Sequence, residues 1–230
     1  MATLTGPLPL RAVILDFNGT VSDDEPLLYR LLRDALAEEG IELTEDVYFG
    51  ELAGHSDPEI VQRALELGGI EPTAELRESV LRDKIDRYKD EVRRELTVGD
   101  GAVAFVRTLA AEVPVAVCSG AVREEVELVL ELAGLDEPIC AVVCIDDVDQ
   151  GKPDPSGYLL ALARLNEERG LHESIIARDV LAVEDSVAGV AAAHAAGLRC
   201  AAIAGDERAE AAADFVIERL DAAAAKELLE

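Results

Sequence analysis

An acidic turn, Asp16-Phe17-Asn18-Gly19-Thr20, follows the apolar run Ala12-Val13-Ile14-Leu15 near the start of the chain. Three later apolar runs also lead into reactive or anion-binding residues. These are Ser119-Gly120 after Val115-Ala116-Val117-Cys118, Lys152 in Gly151-Lys152-Pro153-Asp154-Pro155, and the pair Glu184-Asp185. Carboxylates gathered beside one lysine and a hydroxyl make poor packing, because like charges raise one another's pKa. A divalent cation removes that repulsion, and hard oxygen ligands with room for water and a phosphate oxygen suit Mg²⁺. Given the metal, Asp16 has the chemistry of a nucleophile that takes a phosphoryl group and becomes an aspartyl-phosphate. Lys152 as a point charge, and Ser119 through its hydroxyl and nearby backbone N–H groups, would hold the phosphoryl oxygens. Thr20 and Gly120 complete the expected phosphate-binding set.

Residues so far apart in sequence need a scaffold that brings them to one edge. After Gly99 strand-like and helical stretches alternate: Val113 to Cys118, then a helix from Arg123; Cys140 to Ile145, then a helix after Pro155; Val180 to Glu184, then a helix from Ser186. Two short strands, Cys200 to Ala204 and Phe215 to Ile217, end the series. Such alternation predicts an α/β fold with a parallel sheet and helices on both faces. Between about Pro26 and Leu96 the apolar spacing is three and four instead, as in Leu27-Leu28-Leu31-Leu32-Leu36 and Leu76-Val80-Leu81-Ile85. Asp57-Pro58-Glu59 opens a helix there and Gly68-Gly69 closes it. The expected organisation is a core of residues 1–22 and 97–230 with a helical domain, 23–96, inserted after the first strand.

Composition narrows the partners. With 48 Asp and Glu against 21 Lys and Arg, the formal charge is −27, which argues against nucleic acid and anionic membranes. The acidity matches either a well-solvated surface or a salty cytoplasm. No apolar run approaches the roughly 20 residues of a membrane span, and the start lacks a secretory pattern, so a cytoplasmic protein is expected. Its four cysteines lie in or beside apolar runs with no Cys-x-x-Cys pair, which predicts buried thiols. Oligomeric state is not legible.

These motifs, in this order and over nearly the whole chain, resemble the haloacid dehalogenase superfamily, in the branch of β-phosphoglucomutase and small-metabolite phosphatases. Asp16-Phe17-Asn18-Gly19-Thr20, continued by Val21-Ser22-Asp23-Asp24-Glu25-Pro26, is similar to its first motif. Ser119 ends the second, Lys152 is the third, and Glu184-Asp185-Ser186 with Gly189 is the fourth. The resemblance implies a Rossmann-like core and a helical cap that closes over the site. It also implies that Asp16 and Asp185 bind Mg²⁺ by side chain, Asn18 by its backbone carbonyl, and Glu184 directly or from behind. Adjacent residues of an extended strand point to opposite sides, so Asp185 is favoured over Glu184 unless the strand has turned. His55, in the loop Ala53-Gly54-His55-Ser56-Asp57, and Arg123, four residues past Ser119, fall where the branch contacts substrate. His172 and His194 have no such context.

Asn18 occupies the position where the branch carries its acid/base Asp. An amide neither protonates a leaving alkoxide nor activates water, help worth about 10²–10⁴-fold in rate. Three readings follow: a slow phosphatase, one restricted to leaving groups that need no proton, or a position where Asp was exchanged to trap a complex. The expected function is a Mg²⁺-dependent phosphatase of a small phosphorylated metabolite. The alternatives are a sugar-phosphate mutase, which needs proton transfer most, and a non-catalytic phospholigand-binding or interaction protein.

Overall fold

The computed structural model describes residues 10–169 and 174–230. Six parallel strands form one sheet in the order β3-β2-β1-β4-β5-β6. They are β1 Ala12–Leu15, β2 Val115–Cys118, β3 Ala141–Val143, β4 Val180–Glu184, β5 Arg199–Ile203 and β6 Phe215–Ile217. The expected α/β architecture is present, with helices on both faces. β2 begins later than expected, after Pro114, which has no N–H to give to a ladder. β3 stops at Val143 because Ile145–Asp147 turns into a short 3₁₀ helix.

Burial on both faces explains why the inner strands read as unbroken apolar runs. Val13, Leu15, Val117, Leu181 and Val183 belong to one core cluster, and Ala12, Ile14, Ala116, Ala182 and Ala202 to the other. Small side chains dominate the second face. The helices Ser156–Arg169 and Val187–Ala195 cover it through Tyr158, Ala161, Leu165, Val190 and Ala193. Cys118, Cys144 and Cys200 are buried and Cys140 is half-buried, all as free thiols.

Between β1 and β2 the chain forms the helices Glu25–Glu38, Asp57–Leu67 and Ala74–Arg94, with a helical turn Glu45–Val47 that widens into a π turn, Tyr48–Leu52. Its incoming and outgoing segments run side by side: the Asp23 N–H donates to the Thr97 carbonyl at 3.0 Å, and the Ser22 and Thr97 hydroxyls lie 2.6 Å apart. The helix Asp100–Ala110 then packs against Ala222–Leu229. Ser56, rather than Asp57, is the residue before the Asp57–Leu67 helix, and its N–H donates to the Glu59 carboxylate at 3.1 Å. Asp57 turns inward instead. Its carboxylate and that of Glu125 accept from the fully buried Lys84 Nζ, at 2.9 and 2.7 Å. This triad ties two helices of the insertion to the helix Arg123–Ala133. No described helix is long and apolar enough to cross a membrane.

Candidate active site

β1 lies at the point where the strand order reverses, with β2 on one side and β4 on the other. Open α/β sheets bind ligands in the crevice beyond the carboxyl ends of strands at such a point. Leu15 is in register with Val117 and with Val183, so Asp16 and Glu184 emerge side by side with Ser119 close behind. The turn after β1 is held by the Thr20 and Ser22 N–H groups, which donate to the Phe17 carbonyl at 3.2 and 2.9 Å. Gly19 has φ +75°, and a Cβ there would stand 2.0 Å from Asp185 Oδ2. Both the dihedral and the space require glycine.

Asp16, Glu184 and Asp185 each offer a carboxylate oxygen, all within 4.8 Å of one another. Glu184 closes β4, whereas Asp185 lies on the turn to Ser186, whose Oγ accepts the Gly189 N–H at 3.0 Å. Because the strand ends between them, neighbouring residues reach one spot. Glu184 is fully buried, receives hydrogen bonds from the Tyr158 and Ser186 hydroxyls, pairs with Lys152, and leaves no room for a Cβ on Gly189. Asp16 and Asp185 line the pocket in front of it. Lys152 Nζ bridges Asp16 Oδ1 and Glu184 Oε1, 2.6 Å from the latter.

The electrostatics favour a cation. Burial pushes the Asp16 carboxyl up to about 7; Lys152 opposes that and Glu184 adds to it. Burial, then the charges of Asp16 and Glu184, push Asp185 up to about 9. Burial disfavours the Lys152 charge, but Asp16 and Glu184 outweigh it and hold the ammonium well above its usual range. Once ionised, three carboxylates against one ammonium leave negative charge for a cation to take over from protons, in a buried all-oxygen donor set. That set fits a hard divalent ion such as Mg²⁺.

Ser119 Oγ accepts the Ala121 N–H at 3.0 Å and lies 3.3 Å from Asn18 Oδ1. Thr20 Oγ1 is buried with no hydrogen-bond partner among the described residues. Asn18 Nδ2 donates to Oδ2 of the buried Asp24 at 3.0 Å, an oxygen that also accepts from the Ser22 and Tyr88 hydroxyls. Asn18, Gly120 and His55 line the pocket with Asp16 and Lys152. His55 Nε2 lies 3.1 Å from the Arg63 guanidinium, and burial followed by that charge lowers its pKa. The loop carrying His55 is pressed against the sheet edge. A Cβ on Gly120 or Gly151 would lie 3.3 or 3.1 Å from Ser56, and one on Gly54 3.0 Å from Ser186. The free space in the pocket is about 40 Å³.

Arg123 is not brought to this pocket, contrary to the sequence reading. Its guanidinium is bound to Asp147, to Glu127 at 2.8 Å and to the Val142 carbonyl at 3.2 Å, in a separate groove beside the Ala74–Arg94 helix. Position after Ser119 fixed where its helix starts, but Asp147 fixed where the side chain goes. His194 pairs with Asp214 at 3.1 Å, and His172 lies outside the described residues. Glu25, Tyr48, Asp57 and Ser186 also line the pocket and were not singled out as site residues. Glu25 and Ser186 were quoted within the first and fourth motifs; nothing in the sequence marks Tyr48.

The pattern of the haloacid dehalogenase-like hydrolases matches residues 10–197. A phosphoglycolate phosphatase of Cereibacter sphaeroides is 32% identical over 193 residues, 82% of this chain and 83% of that protein. The phosphorylated carbohydrates phosphatase of Thermotoga maritima is 30% identical over 189 residues, 82% of each. The structure of a mutant CbbY from Rhodobacter sphaeroides in complex with xylulose-1,5-bisphosphate shares the fold, with TM-score 0.78 and 24% identity over 92% of this chain and 95% of that one. With its core, its ordered motifs and its phosphatase relatives, this chain belongs to the haloacid dehalogenase-like hydrolase family of enzymes.

Proposed function

We propose that the protein is a Mg²⁺-dependent phosphatase of small phosphorylated metabolites that works through an aspartyl-phosphate on Asp16. The observation that carries this reading is the convergence of the Asp16, Glu184 and Asp185 oxygens within 4.8 Å, with Lys152 on Asp16. Relatives that act as phosphatases of phosphoglycolate and of phosphorylated carbohydrates support a small, polar substrate. Asp16 and Asp185 by side chain, and Asn18 by its backbone carbonyl, would hold Mg²⁺, with Glu184 beside or behind them. The ion supplies neutralisation of the charge shared by nucleophile and phosphate. Asp16 bonds to phosphorus while Lys152 holds the phosphoryl oxygens, and Ser119, the Gly120 N–H and the unpartnered Thr20 hydroxyl add neutral donors. At net charge −27 the molecule repels phosphate esters at range, so attraction is local to these groups.

The helical insertion serves as a lid in this reading. The pocket has about 40 Å³ of free space, room for no more than a few waters, so a metabolite-sized substrate is admitted when the insertion shifts. Its return shields the phosphoryl group from bulk water. The phosphatase activities of the relatives favour this reading over a sugar-phosphate mutase, and the Asn18 amide itself moves no proton. The test is release of inorganic phosphate from phosphoglycolate, sugar phosphates, acyl phosphates and p-nitrophenyl phosphate. The wild-type chain releases phosphate with Mg²⁺ and stops with EDTA, and Asp16→Asn lowers the rate by about 10³-fold or more. Undiminished release by Asp16→Asn overturns the mechanism.

A further inference from the structure

The pocket holds a carboxyl group to which phosphoryl transfer at Asp16 gives no task. Glu25, the first residue of the Glu25–Glu38 helix, lines the same pocket as Asp16 and Asn18. Its one hydrogen bond from the described residues comes from the Tyr48 hydroxyl, 3.1 Å from Oε2. Tyr48 is fixed in turn: its ring is buried, 5.4 Å from the Tyr29 ring and edge-on to Phe49 at 5.0 Å. One carboxyl oxygen is thus anchored and the other is left for a ligand.

The remaining ionisable groups of the pocket are committed, apart from His55, whose buried Nδ1 has no hydrogen-bond partner among the described residues and which the experiment below therefore tests as the rival. Asp16 and Lys152 pair with each other, Asp57 is held by Lys84, and Asp185 belongs to the carboxylate set that would hold the cation. Burial followed by the charge of Glu25 keeps the Tyr48 hydroxyl protonated. Arg63 only donates, so His55 Nε2, 3.1 Å away, must accept. Position 18 is an amide whose nitrogen is spent on Asp24.

We propose that Glu25 is the proton donor and acceptor of this site, protonating the leaving oxygen and then deprotonating the hydrolytic water. The proposal rests on the phosphatase reading above. In the first half, an Asp16 oxygen bonds to phosphorus and the bond from phosphorus to the leaving oxygen breaks. That oxygen keeps the electron pair and takes the Glu25 proton. In the second half, Glu25 removes a proton from water as the water oxygen bonds to phosphorus. The bond to Asp16 then breaks, the carboxylate is restored and phosphate departs. The proton is lent and returned, so no further reactant is needed. Five groups face Glu25: Asp24 beside it, Asp16 from the turn after β1, Asp57 and Tyr48 from the insertion, and Asp185 across the pocket. Burial, then the Asp24 charge, push the Glu25 carboxyl up to about 7, with the Tyr48 hydrogen bond opposing. Both protonation states are therefore populated near neutrality, as an acid that becomes a base requires.

The experiment is the leaving-group dependence of kcat/KM with Mg²⁺, from p-nitrophenyl phosphate through phenyl phosphate to glycerol phosphate, in wild type and Glu25→Gln. Gln keeps the size of Glu and an acceptor for Tyr48. The expected loss grows along the series, to about 10²–10⁴-fold for the alkoxide leaving group, and is about tenfold or more smaller for nitrophenolate. Tyr48→Phe gives the same ordering with smaller losses, and it carries the comparison if Glu25→Gln fails to fold. A loss equal on every substrate, no loss on glycerol phosphate, or the graded loss appearing in His55→Gln instead overturns the role of Glu25 alone. A wild-type chain that releases no phosphate with Mg²⁺ from any of them overturns the phosphatase reading and this proposal with it.

Discussion

Asn18 and Asp24 have to be considered together. The Asn18 amide donates to a buried carboxylate oxygen at 3.0 Å that already has two other donors, while Asp24 Oδ1 has no partner among the described residues. Burial raises the Asp24 pKa against those three hydrogen bonds. An Asp at position 18 would set two carboxylates in that space, able to coexist only by sharing a proton. Asn18→Asp alone is therefore expected to destabilise the fold by on the order of 3 kcal/mol at pH 8. The loss is smaller at pH 5, and Asn18→Asp with Asp24→Ser recovers most of it. Urea unfolding of the four combinations measures the coupling directly, and additive effects would refute it. The sequence showed that position 18 carries the wrong residue for an acid. It did not show that Asp24 depends on that residue, because the contact is made by a turn whose shape only the fold determines.

At the scale of elements, a buried cation, together with the Arg82 and Lys89 pairs to Glu124, holds the helices Asp57–Leu67 and Ala74–Arg94 against the helix Arg123–Ala133 in this closed arrangement. Lys84 is fully enclosed with Asp57 and Glu125, and burial pushes Glu125 up to about 7 against the attraction of Lys84. Removing the cation strands two carboxylates, so Lys84→Met is expected to lower stability by about 3–5 kcal/mol at pH 8. The cost shrinks at pH 5, where Glu125 takes a proton. Melting curves at the two pH values check this, and an equal shift at both would count against the triad. Lys84 was legible in principle: it stands at helical spacing between Val80 and Tyr88, on the same apolar face. The strands were legible because burial on both faces leaves unbroken apolar runs. Their ends were less so, since proline and turn formation trimmed them. Tyr48 was not legible, since it meets Glu25 only through a π turn that no residue pattern announces.

Over the whole molecule, buried carboxylates link folding to pH and to metal. Asp16 at about 7, Asp185 at about 9, Glu25 at about 7 and Glu125 at about 7 all lie above their ordinary values of 3.8 or 4.5. The folded chain therefore holds protons that the unfolded chain has released. Their contribution to stability is full below the unfolded values and is lost as pH rises through 7 and 9. Without metal, the melting temperature is expected to fall by roughly 10 °C or more between about pH 5.5 and pH 9. Under the proposed function Mg²⁺ takes the place of the missing protons at Asp16 and Asp185, so it should raise the melting temperature more at pH 9 than at pH 5.5. Calorimetry with and without Mg²⁺ measures both slopes; a metal effect independent of pH would separate Mg²⁺ from these carboxylates.

Gly120 and Gly151 meet Ser56 with space for hydrogen but little for methyl, at 3.3 and 3.1 Å from a notional Cβ. Neither has the left-handed backbone that would demand glycine on its own. Each is then a place for a shim. Alanine, serine and valine at position 151 form a ladder of thickness that props the Ser56 loop progressively further from the sheet edge. Such a ladder would tune the dwell time of substrate against the escape of phosphate while leaving Asp16 and Asp185 untouched.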